Sequence, residues 1–155
     1  MGVASCGTSQ VSVTPSTANG AAGKQVQRFV VTDTSNVKCQ MQTNPFVSLF
    51  GPQQQGNGTV EANLTAAPQL MPYSFGDLGG PGGPQDLSPG QSAVFFIMWS
   101  DVATGGVACP TADGFDFRTP QAASGDQRLI YFKFGAPICG SAYYVSQMLP
   151  PSFTS

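Results

Sequence analysis

Ser92-Ala93-Val94-Phe95-Phe96-Ile97-Met98-Trp99 (SAVFFIMW) is the stretch on which the fold turns. It is far shorter than the ~20 apolar residues that cross a bilayer and shorter than an ordinary helix. Rich in aromatic and branched side chains, it reads as a strand buried on both faces. Its neighbours alternate instead. Gly114 to Arg118 (GFDFR) sends Phe115 and Phe117 to one side and Asp116 and Arg118 to the other. Leu129 to Phe134 places Ile130, Phe132 and Phe134 on one face, with Leu129, Tyr131 and Lys133 opposite. That period of two belongs to half-buried strands.

Working outward, the same pattern recurs in short pieces. Gln10 to Thr14, Val26 to Thr32, Lys38 to Gln42, Phe46 to Phe50 and Ala142 to Met148 each read as strands. Pro15 to Lys24 and Asp33 to Asn36 read as turns, and Pro45 marks a break or an edge because it lacks an amide donor. Gly51 to Gly90 reads mostly as connection, with one short strand near Gln69 to Tyr73. Its end, Gly76 to Gly90, is dense in Gly and Pro and belongs on the surface. About seven or eight strands, punctuated by 19 Gly and 13 Pro and without a long amphipathic helix, imply an all-β antiparallel sandwich with long Gly/Pro-rich loops. A length of 155 residues fits one domain. Residues 1–5 are expected to be what remains after an export signal is trimmed, 6–149 the sandwich, and 150–155 a tail.

Composition narrows the partners. Charged residues are 9% of the chain against roughly 25% in an ordinary domain, so the surface must be built from neutral polar groups. Six basic residues cannot neutralise a row of phosphates, which argues against nucleic acid and anionic membranes as partners. Four cysteines in such a chain point to disulfides and an oxidising compartment. A competing reading of Val3-Ala4-Ser5-Cys6 is a lipid-anchoring motif ending on Cys6.

Chemistry is thin. The chain has no His, so Ser-His-Asp and Cys-His sites are absent, and Cys/His zinc sites are poorly supported. A Ser-Lys pair would have to draw on Lys24, Lys38 or Lys133, none of which sits in a recognisable motif. A carboxylate hydrolase would need two of Asp33, Glu61, Asp77, Asp86, Asp101, Asp113, Asp116 and Asp126 in one cleft, yet most occupy turns. Calcium would fall to Asp113 with Asp116, or Asp77 with Asp86, but no EF-hand spacing appears. Met41, Met71, Met98 and Met148 lie on or beside apolar strands, where packing is the default over soft-metal ligation. Asn57-Gly58-Thr59 and Asn63-Leu64-Thr65 fit the glycosylation pattern, which matters only in a eukaryotic source. No catalytic residue, cofactor or metal site is therefore assigned.

Ordered landmarks carry a family resemblance. Cys6 stands before Gln10-Val11-Ser12-Val13, and Gly20-Ala21-Ala22-Gly23 forms a small-residue turn. Val31-Thr32-Asp33-Thr34-Ser35 then leads to Cys39 and Pro45-Phe46-Val47-Ser48-Leu49. Leu87-Ser88-Pro89-Gly90-Gln91-Ser92-Ala93 opens the central strand, and Cys109 and Cys139-Gly140 follow. In this order, from Cys6 to Leu149, the chain resembles the actinobacterial domain-of-unknown-function 4232 family of secreted and lipoprotein-anchored proteins. Asn44 and Asp33 depart from the residues usual there. The resemblance implies an immunoglobulin-like sandwich outside the cytoplasm and supplies no activity.

Four cysteines allow three connectivities, and sequence alone does not choose among them. Their order suggests Cys6 with Cys39 and Cys109 with Cys139, each closing a loop worth roughly 3.5–4 kcal/mol in the chain-entropy model. The expected role is a non-catalytic extracytoplasmic domain that binds an unidentified protein or envelope component, or has a structural duty there. A loop-carboxylate hydrolase or an enzyme inhibitor is the alternative. Because Ala93 to Trp99 is apolar on both faces, either the Gly51 to Gly90 connection or a partner must cover one of them. The expected contact surface is Phe95, Phe96, Ile97 and Trp99, together with Leu78, Pro81 and Pro84 of the Gly/Pro-rich loop.

Overall fold

The computed structural model describes residues 4–21, 23–55, 58–64, 66–70, 82–103, 108–118, 127–134 and 136–152. Among them are a 3-10 turn, Thr8–Gln10, and eleven strands. These are β1 (Val11–Ala21), β2 (Lys24–Asp33), β3 (Cys39–Met41), β4 (Phe46–Gln55), β5 (Gly58–Asn63) and β6 (Ala67–Leu70). The chain continues with β7 (Gln85–Leu87), β8 (Ser92–Ser100), β9 (Gly114–Arg118), β10 (Gln127–Tyr131) and β11 (Cys139–Val145). The strands form sheets in the orders β1-β2-β8-β11-β6 and β10-β9-β4-β5, with β3-β7 as a short separate ladder. All pairings are antiparallel except β11 with β6, which is parallel.

The two larger sheets meet through aromatic side chains that the alternation had put on one face. Phe29 of β2 stacks on Phe95 of β8 at 5.4 Å and meets Phe115 of β9 edge-on at 4.9 Å. Phe132 and Phe134 close on the same ring. Offset and edge-on arrangements of this kind are each worth about 0.5–1.5 kcal/mol beyond burial. A polar tie crosses the same gap: the Leu49 amide of β4 donates to the Tyr143 hydroxyl of β11 at 2.9 Å. Burial pushes that phenol above its ordinary value, opposed by the hydrogen bonds to Leu49 and Ser48.

Two glycines are required where they stand. Pro89-Gly90 turns the chain into β8, with Gln91 N donating to Ser88 O and Gly90 at φ 86°, the left-handed corner of a type II turn. At Gly114 a Cβ would run into the Ile130 carbonyl and the Phe50 ring.

Strand lengths differ from the sequence reading for identifiable reasons. β1 runs on through the expected turn residues because it is an edge strand, where Pro15 has no ladder amide to lose. A bulge between Pro15 and Ala18 frees the Ser16 and Thr17 carbonyls, and Nε2 of buried Gln27 reaches both at 3.3 Å. β4 and β5 form a hairpin through Gln- and Gly-rich residues that show no apolar alternation, so the Gly51 to Gly90 stretch holds more strand than expected. Residues 146–149 leave β11 yet keep bonding to β8, through Ser146 N to Phe96 O and a reciprocal Val94–Leu149 bridge.

Candidate functional site

The expected apolar surface is not a surface. Phe95, Ile97 and Trp99 point into the core between the sheets, and Phe96 faces outward yet is 0% exposed. Leu149 lies over it, forming a second cluster with Val94, Phe96 and Met98, flanked by Val26, Val30 and Tyr144. The cover is the chain's own end. Ser146 Oγ accepts from Phe96 N, and Arg28 Nη2 reaches Pro151 O at 2.7 Å, so part of the expected tail is pinned. The connection contributes too, since Gly82 N and Gly83 N bond Gln147 and Met148 of that end. Pro84 is exposed beside it, whereas Leu78 and Pro81 lie outside the described residues.

Exposure is found instead on the outer face of β10-β9-β4-β5. Tyr131 is 71% exposed and leans edge-on over Phe50, with Leu129 and Phe46 also open. A hollow of about 320 Å³ in this face is lined by Phe50, Glu61, Asn63, Asp116, Arg118 and Leu129, together with Ala62. Strand pairing explains the grouping: Leu129 sits opposite Asp116, Tyr131 opposite Gly114, and Phe50 opposite both Gly114 and Asn63. Asp116 Oδ2 accepts from Arg118 at 3.1 Å, while its Oδ1 is buried without a partner among the described residues. The Glu61 carboxyl is pushed above its ordinary value by desolvation and by the hydrogen bond and like charge of Asp113. Glu61 is solvent-exposed, so the neighbouring Asp113 carboxylate is the effective cause.

The remaining described carboxylates serve structure. Asp33 caps the Ser35 turn, Asp86 accepts from Gln40 at 2.8 Å, and Asp101 accepts from Gln25 at 2.6 Å. Asp77 and Asp126 lie outside the described residues. Among those described, no three metal-ligating side chains converge. Of the expected calcium pair, Asp116 is engaged by Arg118, while Asp113 neighbours the Glu61 carboxyl. Trp99 packs edge-on against Phe134 at 5.1 Å and is core, not a ligand platform.

Disulfides join Cys6 to Cys39 and Cys109 to Cys139. Residues 6–147 match the family model described as "Domain of unknown function (DUF4232)". The chain belongs to the DUF4232 family. No curated protein and no solved structure matches it. In this DUF4232 member Cys6 is buried and its sulfur is bonded to Cys39, so that sulfur cannot also carry a lipid. No described helix of the DUF4232 domain is long and apolar enough to cross a membrane.

The open aromatic face was not anticipated, and a carboxylate cleft was raised without singling out Glu61, Asp113 and Asp116. Glu61 and Asp113 are 52 positions apart, and only the β4-β5 hairpin beside β9 brings them together. The available signal was the outward half of each alternating strand, Asp116 and Arg118 on one and Leu129 and Tyr131 on the other, which marks a face without saying what is near it.

Proposed function

We propose that this domain works outside the cytoplasm as a non-catalytic module of the cell envelope, binding a partner protein through the outer face of β10-β9-β4-β5. The observation that carries the reading is the juxtaposition of exposed Tyr131, Leu129 and Phe46 with Glu61, Asp113 and Asp116, against Arg118 as the cation of the hollow. That charge balance fits a partner presenting a Lys or Arg among apolar side chains. Contacts of this kind combine an aromatic anchor with a charge that sets register. Two disulfides in so weakly charged a chain support the oxidising compartment.

A photo-crosslinking residue at position 129, in protein exported by its native host, tests this. The expected product is one discrete protein adduct whose linked peptide carries a basic residue, lost when Glu61→Lys reverses the local charge. No adduct beyond that from exposed Val37, or one indifferent to Glu61→Lys, would sink the assignment.

A hydrolase reading is favoured by one fact, the meeting of Glu61 and Asp113. Asp113 raises the Glu61 carboxyl as a close neighbour of like charge. Glycosidase pairs instead stand about 5–9.5 Å apart with the scissile bond between them. We therefore rank binding above catalysis.

A further inference from the structure

We propose that the two disulfides are chemically unequal: Cys109–Cys139 is a thiol-exchange site open to a dithiol, while Cys6–Cys39 is guarded against thiolates by the carboxylate of Asp33. This does not rest on the contact face proposed above.

Cys6, Cys39 and Asp33 are all buried. Ser35 holds Asp33 Oδ1 through its amide at 2.8 Å and its hydroxyl at 2.7 Å, which leaves Oδ2 at 3.7 Å from Cys39 Sγ. A disulfide sulfur has no proton to donate, so this contact is a buried carboxylate oxygen set against a sulfur. Charges in such surroundings are weakly screened. A thiolate attacking Cys39 brings a second negative charge to that oxygen. Attack on Cys6 expels Cys39 as a thiolate beside the same carboxylate, and a leaving thiol of raised pKa departs more slowly. Both routes are obstructed.

Among the described residues no carboxylate is set against either sulfur of the second bond, and although Cys139 is buried its partner is less so. Cys109 is half-buried, in an irregular segment ahead of β9. Cys139 lines a hollow of about 280 Å³ with Lys24, Ser100, Ser141 and Tyr144, where the β8–β11 ladder is interrupted between Cys139 and Tyr144. Lys24 pairs with Ser100, and Ser100 with Cys139, which sets Lys24 and Cys139 at facing positions around the same hollow. A thiolate expelled from Cys139 therefore develops in a hollow that holds a cation, which favours its departure. One thiolate of the dithiol attacks Cys109 Sγ, forming a mixed disulfide and releasing Cys139 as a thiolate that takes up a proton. The second thiol then displaces Cys109. The dithiol leaves as its internal disulfide, and the protein holds two thiols after gaining two electrons and two protons.

Timed reduction of the native protein with dithiothreitol, alkylation of the freed thiols and peptide mapping follow each bond separately. Cys109 and Cys139 are expected to label roughly tenfold sooner than Cys6 and Cys39. Asp33→Asn should shorten the lifetime of Cys6–Cys39 by roughly tenfold and leave Cys109–Cys139 unchanged. Charge is separated from mere loosening by comparing cysteamine with 2-mercaptoethanesulfonate. Asp33→Asn should reduce the preference of Cys6–Cys39 for the cationic thiol, whereas equal acceleration by both reagents overturns the guard. Should Asp33→Asn fail to fold, Lys24→Gln tests the other half: reduction of Cys109–Cys139 should slow about threefold. Opening of Cys6–Cys39 first, or of both bonds together at the global unfolding rate, overturns the proposal.

Discussion

The outer faces of the two large sheets differ in a way their sequences invert. The five-stranded sheet carries the most apolar strand of the chain, β8, yet its outward Val94, Phe96 and Met98 are sealed beneath residues 146–149. The four-stranded sheet is built from strands that alternate cleanly, and it leaves Leu129 and Tyr131 in solvent beside two carboxylates and a guanidinium. A strand apolar on both sides is one whose covers come from the same chain. An aromatic left on the polar side of an alternating strand has no such cover, and it is the better pointer to a contact surface.

The sharpest way to break this comparison is to charge the sealed face. Phe96→Asp should destabilise the domain by roughly 4 kcal/mol or more, through an unpaired buried charge, as read by urea unfolding. A variant of wild-type stability would mean that the cover is not in place. Leu149→Ala tests the cover itself and should cost about 2–3 kcal/mol, close to the cost for a core leucine. The tie between the sheets is probed by pH. Because the Tyr143 phenol is raised above 10.0 in the folded state, the unfolded chain loses that proton first. Its contribution is intact below pH 10 and is lost as pH climbs through the folded value. Tyr143→Phe should flatten this alkaline loss in thermal melts while removing the Leu49 hydrogen bond, worth about 1 kcal/mol. Tyr131→Ala and Leu129→Ser on the open face should each move stability by less than about 0.5 kcal/mol. Tyr131→Ala should nonetheless abolish the crosslink formed from position 129.

Much of the fold was legible because it depends on local periodicity. Phe115, Phe117, Ile130, Phe132 and Phe134 face the core as their alternation required, and Ser92–Trp99 is the buried centre of its sheet. The β4-β5 hairpin escaped notice because Gln53-Gln54-Gln55, which pair with Val60, Thr59 and Gly58, show no apolar alternation. The site was less legible still. Nothing local to Glu61 announces Asp113, and nothing in Ser146-Gln147-Met148-Leu149 says that it will lie along Phe96 and Val94. Those relations are set by which strands become neighbours, and residue spacing does not carry that information.

Hydroxyl-radical footprinting of the native protein, with oxidation quantified side chain by side chain, bears most directly on the contrast between the faces. Tyr131 and Leu129 should oxidise rapidly, while Phe96 and Met98 stay protected until the domain unfolds, with methionine's high intrinsic reactivity making Met98 the stringent case. Rapid oxidation of Phe96 and Met98 in folded protein, or protection of Tyr131 in the isolated domain, would contradict the account.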